Sequence, residues 1–185
     1  VPMRGQQTRT FYVTLAVMVL GILATFSVAL EGLSPVTFWF PFLGGVIWAV
    51  SGWSAFVGTR NIGMARAFGI WAPMNILVAC IWGMVLFGEF LDLELVMILV
   101  AIVSLIAIIT GILFINLSGS KPGEEKHSKR EQRIGMIGAI GAGVGFASYF
   151  IPIQIGTADY PGFTMWLGTL PMSFGMVLEI GRAHV

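Results

Sequence analysis

The feature that most constrains this chain is a series of six apolar segments, each about as long as a bilayer is thick. They span residues 11–30, 38–58, 65–88, 94–117, 134–154 and 161–178. A helix needs about 20 mostly apolar residues to cross the hydrocarbon core. The segments are continuously apolar rather than alternating, which excludes β-barrel strands, because lipid admits only helices or closed barrels. The sequence therefore predicts an all-α, polytopic bundle of transmembrane helices.

The composition agrees with a chain surrounded by lipid. Only 10% of the 185 residues are charged, whereas a soluble domain carries about a quarter. The net charge of +1 gives no reason to expect a nucleic-acid partner, and the single cysteine, Cys80, excludes an intrachain disulfide. The sequence contains no Walker loop, nucleophile elbow, paired catalytic carboxylates or His/Cys cluster. We therefore expect an integral protein of the plasma or inner membrane, without enzymatic activity, cofactor or metal.

The breaks between the segments alternate in charge. The basic positions are Arg4 and Arg9, then Arg60 and Arg66, then Lys121, Lys126, Lys129, Arg130 and Arg133. The acidic positions between them are Glu31, then Glu89, Asp92 and Glu94, then Asp159. By the positive-inside rule, the basic breaks face the cytoplasm.

The longest break, 118–133, contains glycine, proline and charges of both signs, and it is predicted to be a flexible linker. Transporters are often built from two repeats, so we interpret 1–117 as the end of a first repeat and 134–178 as the start of a second. The last residues, 179–185, read EIGRAHV and resemble a translated sequencing-library adapter. We expect an incomplete chain whose native sequence stops near Leu178, the alternative being a genuine polar tail.

The third segment carries the strongest candidate for a ligand site. Trp71, Asn75 and Trp82 lie four and seven residues apart, so they share one helical face. Pro73 removes one backbone hydrogen bond and favours a kink that frees a carbonyl at depth. An amide beside indoles suits a neutral polyhydroxylated ligand, because the amide donates and accepts while the rings stack on C–H faces. The alternative is structural: Asn75 bonds a neighbouring helix, and the tryptophans pack or anchor.

Weaker candidates lie on the second and fifth segments. Trp48 and Ser51 share a face with Ala55, which would form a small polar notch beside an indole. Tyr149 continues the fifth segment toward its outer end and is a candidate for the substrate path. Helix packing is the alternative role for the notch.

Glu89 follows Gly88 at the end of the third segment. A carboxylate in a tight turn would couple proton movement if burial altered its titration. The alternative is that Glu89 caps the following helix together with Asp92, because acidic residues favour helix starts.

The fifth segment has a smooth flank of small residues. The flank consists of Gly135, Gly138, Gly141, Ala142, Gly143 and Gly145. Such residues let helices approach closely, and they would also permit bending during transport.

Several short motifs carry a family resemblance. They are Gly44-Gly45-Val46-Ile47-Trp48-Ala49, Asn61-Ile62-Gly63, Ile70-Trp71-Ala72-Pro73-Met74-Asn75, Ile81-Trp82-Gly83 and Phe87-Gly88-Glu89. Over about residues 38–175 the chain resembles the drug/metabolite transporter superfamily, in particular its sugar-uptake branch of glucose/ribose porters.

The resemblance implies a complete protein of about ten helices in two inverted repeats, of which this chain would supply helices two to seven. Members carry sugars or other small metabolites, often with protons, through a cavity between the repeats. The cavity-lining positions would map to the helices that carry Trp48, Trp71 and Asn75, and Glu89 transfers only as the turn residue. One conflict stands: the family topology would place the linker outside, whereas the charges here place it inside.

The leading hypothesis is a secondary transporter that moves a sugar or similar polar metabolite by alternating access. Its partners would be that small-molecule substrate, the lipid bilayer and a coupled proton or ion. The alternatives are an exporter of amphipathic metabolites or drugs, which substrate competition would identify, and a non-transporting membrane scaffold, which would show no substrate-dependent flux.

Overall fold

The computed structural model describes residues 3–27, 32–91, 93–117 and 128–182. Seven helices are found in this part of the chain: α1 (Met3–Ser27), α2 (Pro35–Ile62), α3 (Met64–Leu86), α4 (Leu95–Leu117), α5 (Lys129–Ser148), α6 (Phe150–Asp159) and α7 (Met165–Arg182). Every regular element in these ranges is helical, which confirms the predicted all-α fold. The predictions for Glu31, Asp92, residues 118–127 and the side chains of Arg4, Arg9 and residues 179–185 lie outside the described residues.

The helices follow the predicted segments closely. Four spans are long and apolar enough to cross a membrane: Pro35–Ile62, Met64–Leu86, Leu95–Ile115 and Lys129–Asp159. The last of these contains α5 and α6, which are separated only at Tyr149. The first and last predicted segments are also helical, with shorter apolar stretches at Thr14–Phe26 and Met165–Leu178. The chain is therefore a helical membrane bundle.

The chain divides into two compact units. Unit one comprises residues 1–50 and 149–185, and unit two comprises residues 51–148. The sequence analysis predicted a boundary between two repeats at the linker, residues 118–133. The two compact units do not test that boundary, so it stays a prediction.

Unit one contains α1, α6, α7 and the first part of α2. Helix α1 packs along α7, and a Cβ added at Gly21 would lie 2.9 Å from the Cα of Leu170. Helices α2 and α7 approach through a reciprocal pair of glycines: a Cβ at Gly45 would meet the carbonyl of Met172, and a Cβ at Gly175 would meet the carbonyl of Phe42. Backbone contact of this kind requires glycine on both helices.

Unit two is organised around α5. On one side, a Cβ added at Gly138 would lie 2.8 Å from the backbone nitrogen of Gly58 in α2. On another side, a Cβ added at Gly143 would lie 2.6 Å from the Cβ of Met74 in α3. These distances confirm that the small-residue flank permits close helix approach. Helix α4 contacts α3, where Ile115 packs over Gly69.

Candidate functional site

Helix α3 continues unbroken from Met64 to Leu86, with Pro73 inside it. Trp71, Asn75 and Trp82 therefore share one face of a single helix, as their spacing predicts. Because Pro73 has no N–H, the carbonyl of Gly69 loses its usual helical donor. The geometry places the three candidate side chains along one line in unit two.

The side-chain amide of Asn75 is half-buried, and no hydrogen bond joins it to another described residue. Asn61 provides a comparison within the same unit, because its Nδ2 donates to the Val57 carbonyl at 2.7 Å. A polar group at membrane depth is costly unless a hydrogen bond satisfies it. Asn75 is therefore an amide with capacity to bind a ligand.

Trp71 lies one helical turn before Asn75 and is half-buried. Its ring makes edge contacts with Phe68 at 5.5 Å and with Phe146 of α5 at 6.4 Å between centroids. Edge-to-face contacts of this kind fix the orientation of an aromatic ring. The Trp71 indole is thus packed against two aromatic rings, one helical turn before Asn75.

Trp82 is fixed by a hydrogen bond to α5. Its Nε1 donates to Oγ of Ser148 at 3.0 Å, and that hydroxyl donates to the Val144 carbonyl at 2.7 Å. The indole N–H is therefore already occupied, and the ring face is what Trp82 has to offer a ligand. Ser148 was not among the predicted site residues, since its partner is 66 residues away in sequence.

The remaining candidates fall in different surroundings. Ser51 is 2% exposed and lies against Gly145, where no side chain would fit. Unit two thus contains Ser51, Trp71, Asn75 and Trp82. Trp48 and Tyr149 belong to unit one, where Tyr149 marks the break between α5 and α6 and its ring makes an edge contact with Phe150 at 6.4 Å.

Glu89 lies in the turn that ends α3. Gly88 has φ +64°, a left-handed conformation that glycine adopts without strain and that commonly terminates a helix. The Glu89 N–H bonds the Gly83 carbonyl at 3.1 Å, and a Cβ at Gly83 would lie 2.5 Å from Oε2 of Glu89. The exposed carboxylate of Glu89 therefore folds back over α3. The residue that precedes α4 is Glu94, whose carbonyl accepts a hydrogen bond from the Ile98 N–H. Among the described residues, no hydrogen bond joins the Glu89 side chain to the start of α4, and Asp92, the other residue of the predicted cap, lies outside them.

Among the described residues, no group of three or more His, Cys, Asp or Glu side chains is placed to hold a metal ion. The chemistry that the described site offers is hydrogen bonding by an amide and stacking on indoles.

Comparison with known proteins adds one finding. A family model described as "Sugar transport protein" matches residues 3–181. No curated protein and no solved structure gives a significant match. The family is one of membrane transporters rather than enzymes, and it implies a small-molecule sugar as the substrate. This chain, an integral membrane protein, therefore belongs to the sugar transport protein family.

Proposed function

We propose that the protein is a secondary transporter that moves a sugar or a closely related polar metabolite by alternating access, and that Asn75 and Trp71 form the centre of its binding site. The observation that carries this proposal is the half-buried Asn75, whose amide has no hydrogen-bond partner among the described residues and which lies one helical turn after Trp71. A sugar hydroxyl both donates and accepts, so it can satisfy both ends of the amide.

The energetic argument favours a neutral ligand. An amide that faces an apolar environment without a hydrogen-bond partner is costly. A sugar that bonds the amide removes this penalty, while Trp71 supplies an apolar surface for the C–H face of the ring. An anionic ligand would satisfy only the NH₂ group of the amide, and a purely apolar ligand would satisfy neither end.

We propose supporting roles for the other candidates. Trp82, held by Ser148, would offer its ring face further along the same helix face. Ser51 would shape the site through its close contact with Gly145. Trp48 and Tyr149 of unit one are proposed to contact the substrate along its path.

The finer classification is also a proposal. The motifs around Trp48, Trp71 and Glu89 resemble those of the drug/metabolite transporter superfamily, which implies about ten helices in two inverted repeats. Reading the native transcript beyond Leu178 tests this. Further helices with a second apolar-Gly-Glu turn would support it, and a native stop within the adapter-like sequence would contradict it.

The binding site is tested by uptake of radiolabelled glucose and ribose into cells that express the complete native protein. We expect Asn75→Ala and Trp71→Ala each to reduce initial uptake roughly tenfold at low substrate, corresponding to the loss of about 1.4 kcal/mol of binding energy. Asn61→Ala is the matched control, because it removes an amide that already bonds its own helix.

Membrane insertion of each variant is measured by surface labelling, so that loss of uptake is separated from loss of protein. Normal uptake by both Asn75→Ala and Trp71→Ala would refute the site. Efflux of amphipathic compounds without sugar uptake would favour an exporter, and the absence of any flux in the unmodified protein would favour a scaffold.

If a proton gradient drives sugar uptake, we propose that Glu89 is the residue that couples the two. The carboxylate is exposed, so the burial considered in the sequence analysis is not found; the proposal is supported by the position of the carboxylate over Gly83 at the end of α3. Glu89→Gln is expected to retain sugar exchange between equal pools but to lose uptake driven by an imposed pH gradient. Unchanged gradient-driven uptake in this variant would contradict the assignment.

A further inference from the structure

Five basic residues of unit two lie at one end of its helices. This set, the basic end, consists of Arg60, Arg66, Lys129, Arg130 and Arg133. The two parts of the set are brought together by packing: a Cβ added at Gly135 would lie 2.6 Å from Cγ2 of Ile62 and 2.9 Å from the Cβ of Asn61. The start of α5 therefore abuts the turn between α2 and α3.

The sequence around the basic end carries an excess of positive charge. Glu131 is the one acidic residue in 51–66 and 128–135. Its carboxylate accepts a hydrogen bond from the Ser128 N–H at 2.7 Å, and its own N–H donates to Oγ of Ser128 at 3.2 Å. This reciprocal capping box engages Glu131 with the start of α5. The adjoining sequence 118–127 contains two lysines and two glutamates, so its formal charges sum to zero.

Exposed apolar side chains lie on both sides of Arg66 on α3 and beyond Arg133 on α5. Met64 and Phe68 on α3 are 71% and 55% exposed, and Ile137 on α5 is 65% exposed. Basic side chains and exposed apolar side chains thus lie within about two helical turns of one another. A ligand that matches both parts must combine a negative charge with a hydrocarbon portion.

We propose that the basic end binds the headgroup of an anionic phospholipid, with the acyl chains along the exposed apolar side chains of α3 and α5. Basic clusters next to a spanning helix attract anionic lipid with about 1 kcal/mol per residue. The α3 N-terminus, at which Gly63 is the cap residue and no described side chain caps the first turn, adds partial positive charge to the same place. This site is independent of the proposed sugar site.

The test is native mass spectrometry of the full chain with equal amounts of phosphatidylglycerol and phosphatidylcholine that have identical acyl chains. We expect preferential retention of phosphatidylglycerol. The double variant Arg60→Gln/Arg133→Gln changes two exposed residues and should lower that preference about fivefold for each arginine removed. The matched control is Arg4→Gln/Arg9→Gln, which removes the same charge from α1.

Two results would overturn the proposal. If both double variants lose preference equally, net charge alone determines lipid binding and the basic end is not a site. If glycerol phosphate displaces phosphatidylglycerol at equal concentration, the apolar surface takes no part and the ligand is not a lipid. Retention of the helical circular-dichroism signal by both variants shows that the comparison is made between folded proteins.

Discussion

Helices α4 and α5 are both long enough to cross a membrane, yet they are packed in opposite ways. No residue of α4 between Leu95 and Ile115 is buried, whereas six residues of α5 are buried, all of them glycine or alanine. The half-buried residues of α4 form a single stripe at Ile98, Ala101, Leu105, Ile108, Gly111, Ile112 and Ile115. Their spacing of three and four is that of one helix face. Among the described residues, the main neighbour of α4 is α3, while α5 approaches both α2 and α3 closely.

The difference shows that the hydrophobicity of a segment predicts its insertion into the membrane, but not how far its side chains are buried against other helices. Lipid tails are as apolar as leucine, so burial of large apolar residues does not drive helices together in a bilayer. Close association depends on small residues and on hydrogen bonds between helices. Helix α5 has both features, and its partner α3 carries the candidate sugar site on the face that includes Trp71 and Trp82.

The largest expected effect comes from adding the volume of a leucine side chain to α5, with the same addition to α4 as the comparison. Gly138→Leu places a side chain where backbone atoms of Gly58 and Ser54 lie 2.8 Å from a Cβ, and we expect it to destabilise the fold by about 3 kcal/mol or more. The matched change in α4, Ala107→Leu, occupies an exposed position and should be tolerated. Thermal unfolding followed by size-exclusion chromatography in detergent measures both, and equal melting temperatures would contradict the assigned packing.

A smaller effect is expected at the start of α5. Ser128→Ala removes one half of the capping box with Glu131, which should lower stability by about 1 kcal/mol. Helix α4 has no acidic residue in its first turn. Glu94→Ala keeps the carbonyl that bonds the Ile98 N–H and should change stability little. Thermal unfolding measures both variants. A larger loss of stability in Glu94→Ala than in Ser128→Ala would contradict the prediction.

The smallest effect concerns the hydrogen bond between Trp82 and Ser148. A double-mutant cycle with Trp82→Phe and Ser148→Ala should give a coupling energy of about 0.6 kcal/mol. Ser104→Ala in α4 is the control, because Ser104, like Ser148, bonds the carbonyl four residues earlier but lies on an exposed face. A coupling near zero would show that Ser148 does not orient Trp82.

Sequence patterns predicted the helices well because a spanning segment is a local property. Each predicted segment contains a helix, and Gly88 ends α3 as its position suggests. The break at Tyr149 was not predicted, since the apolar run continues through it. The direction of Glu89 and the partner of Trp82 were missed as well, because both depend on contacts that form only when helices pack. Asn75 and Trp71 are identifiable by residue type at membrane depth, but their neighbours are not.

The most direct test of the central claim is equilibrium binding of radiolabelled glucose and ribose to the purified protein, compared among the unmodified chain, Asn75→Ala and Asn61→Ala. The account predicts saturable binding that is weakened roughly tenfold by Asn75→Ala and unchanged by Asn61→Ala. Binding that is equally strong in Asn75→Ala, with the protein folded, would contradict the assignment of the sugar site to α3.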